Sequence, residues 1–471
     1  MDYNTKKKTK IILGIFISTL FLPILISNSK ITPATEIHAA QAGEQVADFY
    51  VAKTPTDEFH LIYREKIAEF DQICYLESNN EYIWNHTKTI LVKENSTHRL
   101  YSRPSITTKN DEIYSVYGFT NLDQWGINML YRATDTFHWT EEVIINDIEG
   151  HLNDPIIAYD TNQSNFWVSW EDDHEGNYSQ YVMIGNSTTM TWSAPIKLST
   201  NDLFDSKEGS FVIDKNGHGH FVWREGAENY EQVLYRKVWF NGTLSDIEEV
   251  TDGTHRSLKP SIIIDGSDKL NVFWNNHSVI NPTFRGTKFV SSSIKENGNW
   301  ITPFEVGPYI PPERPASGES DAFTAAACLD QRTNDVWLAY EIAEDYAYHT
   351  GIDIRNRDGN SWEPSSQLTL INNLAKDPQL ISTTDGDIVC FWIDGRSVTN
   401  QVYFRIRFAS EAWSEEIVLT AFSYSDISII WKYVLIALGG ALVLAIPSLI
   451  MRAIHKKRQE KYVKEKMREM N

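Results

Sequence analysis

The chain has 471 residues, 42% hydrophobic and 12% aromatic, enough to bury a large core, and its Gly, Asn and Asp turns between short apolar runs favour an all-β body. The formal net charge is −20; residues 1–10 carry +3 and residues 452–471 carry +5, which leaves −28 on the body between them. Such a body argues against nucleic acid as partner and is compatible with cations, basic partners or simple solubility.

At the start, Lys6, Lys7, Lys8 and Lys10 precede an apolar run at 11–27 and the small residues Ala39, Ala40 and Ala42, the layout of a secretory signal over 1–42. The alternative is an uncleaved N-terminal anchor, because the run is long and Pro23 interrupts it.

The body, 43–426, repeats. Residues 210–250 show the unit most clearly: an apolar start, the turn from Asp214 to Gly217, a run into Trp223, a third strand at 233–236 and a fourth at 247–250 after Asn241-Gly242. The aromatic closing the second strand recurs as Tyr63, Tyr117, Trp170, Trp223, Trp274, Tyr340 and Trp392, at intervals of 51–54 residues with one longer gap. A period of about 40–50 residues marks propeller blades, and a unit with one apolar face too many is stabilised by radial stacking. The units run 49–91, 104–139, 155–192, 210–250, 260–306, 323–370 and 378–419, and the expected fold is a seven-bladed β-propeller of four-stranded blades.

The longer gap holds a Pro-rich insertion at 307–320, with Tyr309 and Arg314. In a four-stranded meander this inter-blade connection shares one face with the loops that follow the aromatic anchors. That rim is expected to carry Glu171, Asp172, Asp173 and His174 after Trp170, and Arg224 and Glu225 after Trp223. It continues with Asn275 and His277, then Glu341, Tyr346, Tyr348 and His349, then Asp394 and Arg396. Polar, acidic and aromatic loops on a rigid scaffold are where binding is expected. Tyr309, Tyr346 and Tyr348 would stack on sugar rings or pin their own loops.

The run Glu171-Asp172-Asp173-His174 reads as a Ca²⁺ site, part of a polar pocket or a solvated loop; its spacing matches no defined calcium loop, and no cofactor is expected. His218 and His220 share a strand face, for a metal or for packing. Cys74, Cys328 and Cys390 lie in strand patterns as small buried hydrophobes, so no disulfide framework is expected.

Near the end, residues 433–451 are apolar, bounded by Trp431 and Tyr433 on one side and Arg452, Lys456, Lys457 and Arg458 on the other, which places a transmembrane helix at 427–453. The positive-inside rule leaves the basic tail, 454–471, in the cytoplasm and the repeats outside the cell. Acceptor triplets for N-glycosylation at Asn85, Asn95, Asn162, Asn177, Asn186, Asn241 and Asn276 fit an external body.

Third strands carrying Tyr131-Arg132, Tyr235-Arg236 and Phe404-Arg405, and the later Trp192-Ser193-Ala194-Pro195 and Trp300-Ile301-Thr302-Pro303, complete the repeat over 49–419. This grammar resembles the sialidase-like, Asp-box type of β-propeller repeat. Asp358-Gly359-Asn360-Ser361-Trp362 approaches the box with its Asp-to-Gly spacing one residue short, and Asn297-Gly298-Asn299-Trp300 lacks the Asp. Family sialidases have six blades, against seven units here. The resemblance implies three arginines clamping a carboxylate, an acid/base Asp and a Tyr activated by a Glu. Arg103-Pro104 is similar to the family's first-blade Arg-x-Pro, and Arg224, Arg314 and Arg396 fall on the rim, but no spacing selects a triad. Arg132, Arg236 and Arg405, at repeated third-strand positions, read as structural.

No G-x-S-x-G, H-E-x-x-H or P-loop occurs. The leading expectation is therefore a membrane-anchored extracellular module that binds a glycan or a protein through one rim. A tethered sialidase-type hydrolase and a structural cell-surface component are the alternatives.

Overall fold

The computed structural model describes residues 44–420 apart from short internal stretches, among them 278–287, 307–324 and 345–348. Within that span the chain forms seven antiparallel sheets, each with its strands hydrogen-bonded in sequence order. The innermost strands of blades 1 to 7 are Glu44–Lys53, Ser105–Lys109, Leu152–Asp160, Ser206–Ile213, Arg256–Ile264, Ala325–Leu329 and Ala375–Ser382. Neighbouring innermost strands touch around the ring, including blade 1 against blade 7. This is an all-β, seven-bladed propeller of four-stranded blades.

Strand alternation explains where the core sits. In the second strand of blade 3, Asn165–Asp172, the even positions Phe166, Val168 and Trp170 pack against blade 2. The odd-numbered Trp167 packs against blade 4. Each blade thus buries both faces, and the core is a set of seams rather than one centre. All four anchor tryptophans are buried, and truncating one to alanine is expected to cost about 3–5 kcal/mol.

The third-strand arginines hold the seams. Arg236 donates Nε to the carbonyl of Ser245 in its own blade at 2.7 Å and Nη1 to that of Leu198 in the preceding blade at 2.6 Å. Arg405 repeats this with Ser414 at 2.7 Å and Leu368 at 2.6 Å. Arg355 does the same with Glu363 and Val306. Arg132 instead reaches Glu77 at 2.6 Å and Tyr75 at 3.0 Å across the first seam.

Ring closure uses no shared strand, since blades 1 and 7 are each built from contiguous chain. Gln379 on blade 7 inserts its amide into the innermost strand of blade 1, donating to the Phe49 carbonyl at 2.7 Å and accepting the Val51 N–H at 3.1 Å. Val46 N–H donates to the Asn400 carbonyl at 3.0 Å, and Phe59 packs 6.0 Å from Phe391.

Several innermost strands begin earlier than the sequence reading placed them. That reading started units at Pro155, Pro260 and Pro378. In the structure the strand passes through each proline at a bulge, where no partner needs that N–H.

All three cysteines are free, with Cys74 and Cys390 buried. Among the described residues no helix is long and apolar enough to cross a membrane. The signal expected at 1–42, the span at 427–453 and the tail at 454–471 fall outside the described residues, as does the insertion at 307–320.

Candidate functional site

The innermost strands break register at one level. On blade 3, Asn153 pairs with Glu171 and Ile156 with Ser169, so Asp154 and Pro155 together face the single anchor Trp170. Glu208-Gly209 faces Trp223, Lys259-Pro260 faces Trp274, and Asp377-Pro378 faces Trp392 in the same way. The first residue of each pair lies in the left-handed region, with φ of 43° at Asp154, 58° at Glu208, 48° at Lys259 and 51° at Asp377. That conformation is unfavourable for a residue with a Cβ, and its recurrence at charged residues marks a place where side-chain direction matters. Blade 2 has a longer break: its strand pauses between Leu100 and Ser105, with Arg103-Pro104 at the equivalent place.

These bulges surround a central cavity of about 450 Å³ lined by Arg103, Asp154, Glu208 and Lys259, together with Tyr50 and Glu171. Serines, Gln379 and apolar residues of the innermost strands, among them Ile156, Phe211 and Ile262, complete the wall. Neighbouring bulges are joined. The Glu171 carboxylate accepts the Glu208 N–H, and Glu208 Oε2 accepts the Lys259 N–H at 2.7 Å while pairing with Arg224 Nε at 2.9 Å.

Charge in and around the cavity is finely divided. Arg103 donates no hydrogen bond and makes no ion pair among the described residues. Its guanidinium pKa is raised, despite burial, by the surrounding charges of Asp377, Asp154 and Asp48. Asp48 is held at 2.7 and 3.0 Å by Arg64, yet burial outweighs that pairing and lifts its pKa. Burial, then the charge of Asp154, pushes Glu171 up to about 8, so it is largely protonated at neutral pH. Glu341, equivalent to Glu171 on blade 6, is pushed up to about 8 by burial and then Asp377.

The rim residues expected from sequence divide into groups. Glu171 lines the cavity, and Arg224 reaches its wall through Glu208. Asp172, Glu225 and Asp394 turn back on their own anchors: each accepts the indole N–H of the tryptophan two residues earlier, at 3.5, 3.1 and 3.2 Å. His174 Nδ1 lies 2.7 Å from Asp172 Oδ1, and Arg396 bridges Asp394 and Glu416. Asp173 holds His151. His349 opens the third strand of blade 6, while Tyr309, Arg314, Tyr346 and Tyr348 lie outside the described residues.

His220 is bonded to Tyr235 at 2.8 Å and Asp214 at 3.2 Å, and burial lowers it to about 4, the signature of a neutral packed histidine. Among the described residues no group of three or more His, Cys, Asp or Glu is placed to hold a metal ion. Sequence reading missed Asp154, Glu208 and Lys259 as site residues and noted Arg103 only as part of a resemblance. The available signal was a charged residue before Pro or Gly, five times at blade starts.

No protein-family model matches the chain, and no curated protein matches its sequence. Among solved structures it is similar to a family PL25 ulvan lyase, at 7% identity over 83% of this chain and 99% of that one, with a TM-score of 0.49. It is similar to the GH93 α-L-arabinofuranosidase of Fusarium graminearum, at 8% identity over 80% and 98%, TM-score 0.46. A third is the Hadza microbial sialidase Hz136, at 11% identity over 74% and 73%, TM-score 0.43. The fold assignment rests on the strand order and register of this chain.

Proposed function

We propose that this chain is a saccharide-recognition propeller displayed outside the cell. A signal at 1–42 delivers it, a helix at 427–453 anchors it and the basic tail at 454–471 stays in the cytoplasm. The observation that carries the reading is the bulge ring, which sets one charged side chain from each of several blades into one concave cavity. A sugar presents hydroxyls that both donate and accept. Arg103 and Lys259 offer donors, Asp154 and Glu208 offer acceptors, and a protonated Glu171 adds a further donor.

A second reading, a glycoside hydrolase, is favoured by one specific feature. Glu171 and Asp154 are carboxyls in one cavity whose environments differ, the first buried and held protonated, the second exposed. A buried acid and an exposed carboxyl in one cavity are the two kinds of group that glycoside hydrolysis uses.

The test is to incubate the detergent-solubilised full-length protein with a glycan array and to assay bound glycan and released sugar together. Binding without release, lost when Ser210→Trp fills the cavity, supports recognition. Release lost in Glu171→Gln moves the hydrolase reading forward. Neither signal leaves the structural cell-surface role.

A further inference from the structure

Close in sequence to the cavity residues Arg103 and Asp154 stands a group of partly exposed aromatic rings. Tyr101, two residues before Arg103, is 50% exposed, and its ring lies 4.4 Å from that of Trp125 at an interplanar angle of 59°. The His151 ring also meets Trp125, edge-on, at 4.9 Å and 74°. His151 is three residues before Asp154, so the chain that builds this row runs directly into the cavity wall.

The row is held in place. Trp125 pairs with Thr120 near the tip of the hairpin between the second and third strands of blade 2, Glu112–Asn121 and Gln124–Arg132. The next residue is Gly126, where a Cβ would come within 2.5 Å of the Ile145 carbonyl and 2.7 Å of the Phe119 ring, so the backbone there is fixed by close approach. Asp173 accepts both the His151 N–H and, at 2.8 Å, a bond with its Nδ1. A half-exposed tyrosine ring adds little to the stability of a blade, whereas a fixed aromatic surface beside a polar cavity suits the apolar C–H face of a sugar.

We propose that Tyr101, Trp125 and His151 form a stacking subsite that takes the next ring of a linear oligosaccharide whose end ring occupies the central cavity. The ligand is then a chain of at least two rings, and Asp173 is a positioning residue that fixes His151. This rests on the saccharide reading above. Tyr178, with Lys207 Nζ 4.1 Å from its ring centre, and the 58% exposed Tyr230 continue the rim's aromatics over blades 3 and 4, along which a longer chain would run.

The test measures affinity of the full-length protein for cello-, xylo-, arabino-, chito- and galacturono-oligosaccharides of one to six rings. In at least one series, affinity rises about tenfold or more from one ring to two, the gain expected of one stacked ring. Tyr101→Ala removes that rise and leaves single-ring affinity unchanged, while Tyr101→Phe keeps the rise. The inference is overturned if single rings bind but length adds nothing, or if Tyr101→Ala keeps the full rise. Absence of binding in every series, or binding unaffected by Ser210→Trp, overturns the saccharide reading itself. Tyr101 is half-exposed at a break in its strand, so its variants fold, and thermal unfolding verifies this.

Discussion

Glu171 on blade 3 reaches across the seam and accepts the backbone N–H of Glu208 on blade 4, at the residue where the innermost strand of blade 4 breaks register. Glu341 on blade 6 makes the same bond to the N–H of Asp377 on blade 7. The N–H groups freed from the ladder by the bulges are thus satisfied by the neighbouring blade, and the walls of the cavity are tied together around part of the ring.

Removing one of these acceptors leaves a buried N–H without a partner. Glu171→Ala is expected to lower stability by about 1–3 kcal/mol, and Glu171→Gln, which keeps an acceptor oxygen, by clearly less. Urea unfolding of the two variants checks the order.

Because Glu171 and Glu341 are raised to about 8, the native state binds protons that the unfolded chain, with ordinary glutamates, releases. Their contribution is fully present below the ordinary glutamate range and is lost as pH rises through about 8. Between pH 6.5 and 8.5, above the range in which His60 and His220 are lowered to about 4, melting temperature should fall with rising pH. A double Glu171→Gln, Glu341→Gln variant should show a flatter slope over the same window.

The closing seam depends on Gln379. Gln379→Leu keeps the side-chain size but strands the Phe49 carbonyl and the Val51 N–H, an expected loss of about 2–4 kcal/mol for two partners. Hydrogen exchange should then accelerate first in Glu44–Lys53, with blades 3 and 4 protected as before.

The acceptor triplets are not equivalent. Asn162 and Asn241 are exposed in turns, whereas Asn276 is half-buried within Leu270–His277 and its Nδ2 lies 3.4 Å from Ser291 Oγ. Expressed in a glycosylating secretory host, the chain should carry glycan at the first two positions and none at Asn276, as read by peptide mass spectrometry.

The blades were legible because each anchor is a large apolar residue at a fixed place on a period-two strand, and burial leaves it little freedom to be anything else. The cavity was harder to see. A bulge changes register without changing composition, so Asp154-Pro155 and Lys259-Pro260 read as strand starts when they are interruptions within strands. Asp172, Glu225 and Asp394 read as rim acids because they follow an anchor, yet residues two apart on a strand share a face, and that rule returns each to its own tryptophan. Which carboxyls line the cavity depends on contacts between blades, which no local pattern records.

The ligand is expected in the cavity against Arg103, whose guanidinium has no hydrogen-bond partner among the described residues. The most direct measurement is calorimetric titration of the best array ligand into full-length protein, wild type and Arg103→Ala. Lys215→Ala serves as control, because that residue lies on a turn of the opposite face and pairs with Asp268. Loss of a charged hydrogen bond weakens binding by about tenfold or more, and this is the expected result in Arg103→Ala with the control unchanged. Wild-type affinity in Arg103→Ala would contradict it and place the ligand elsewhere.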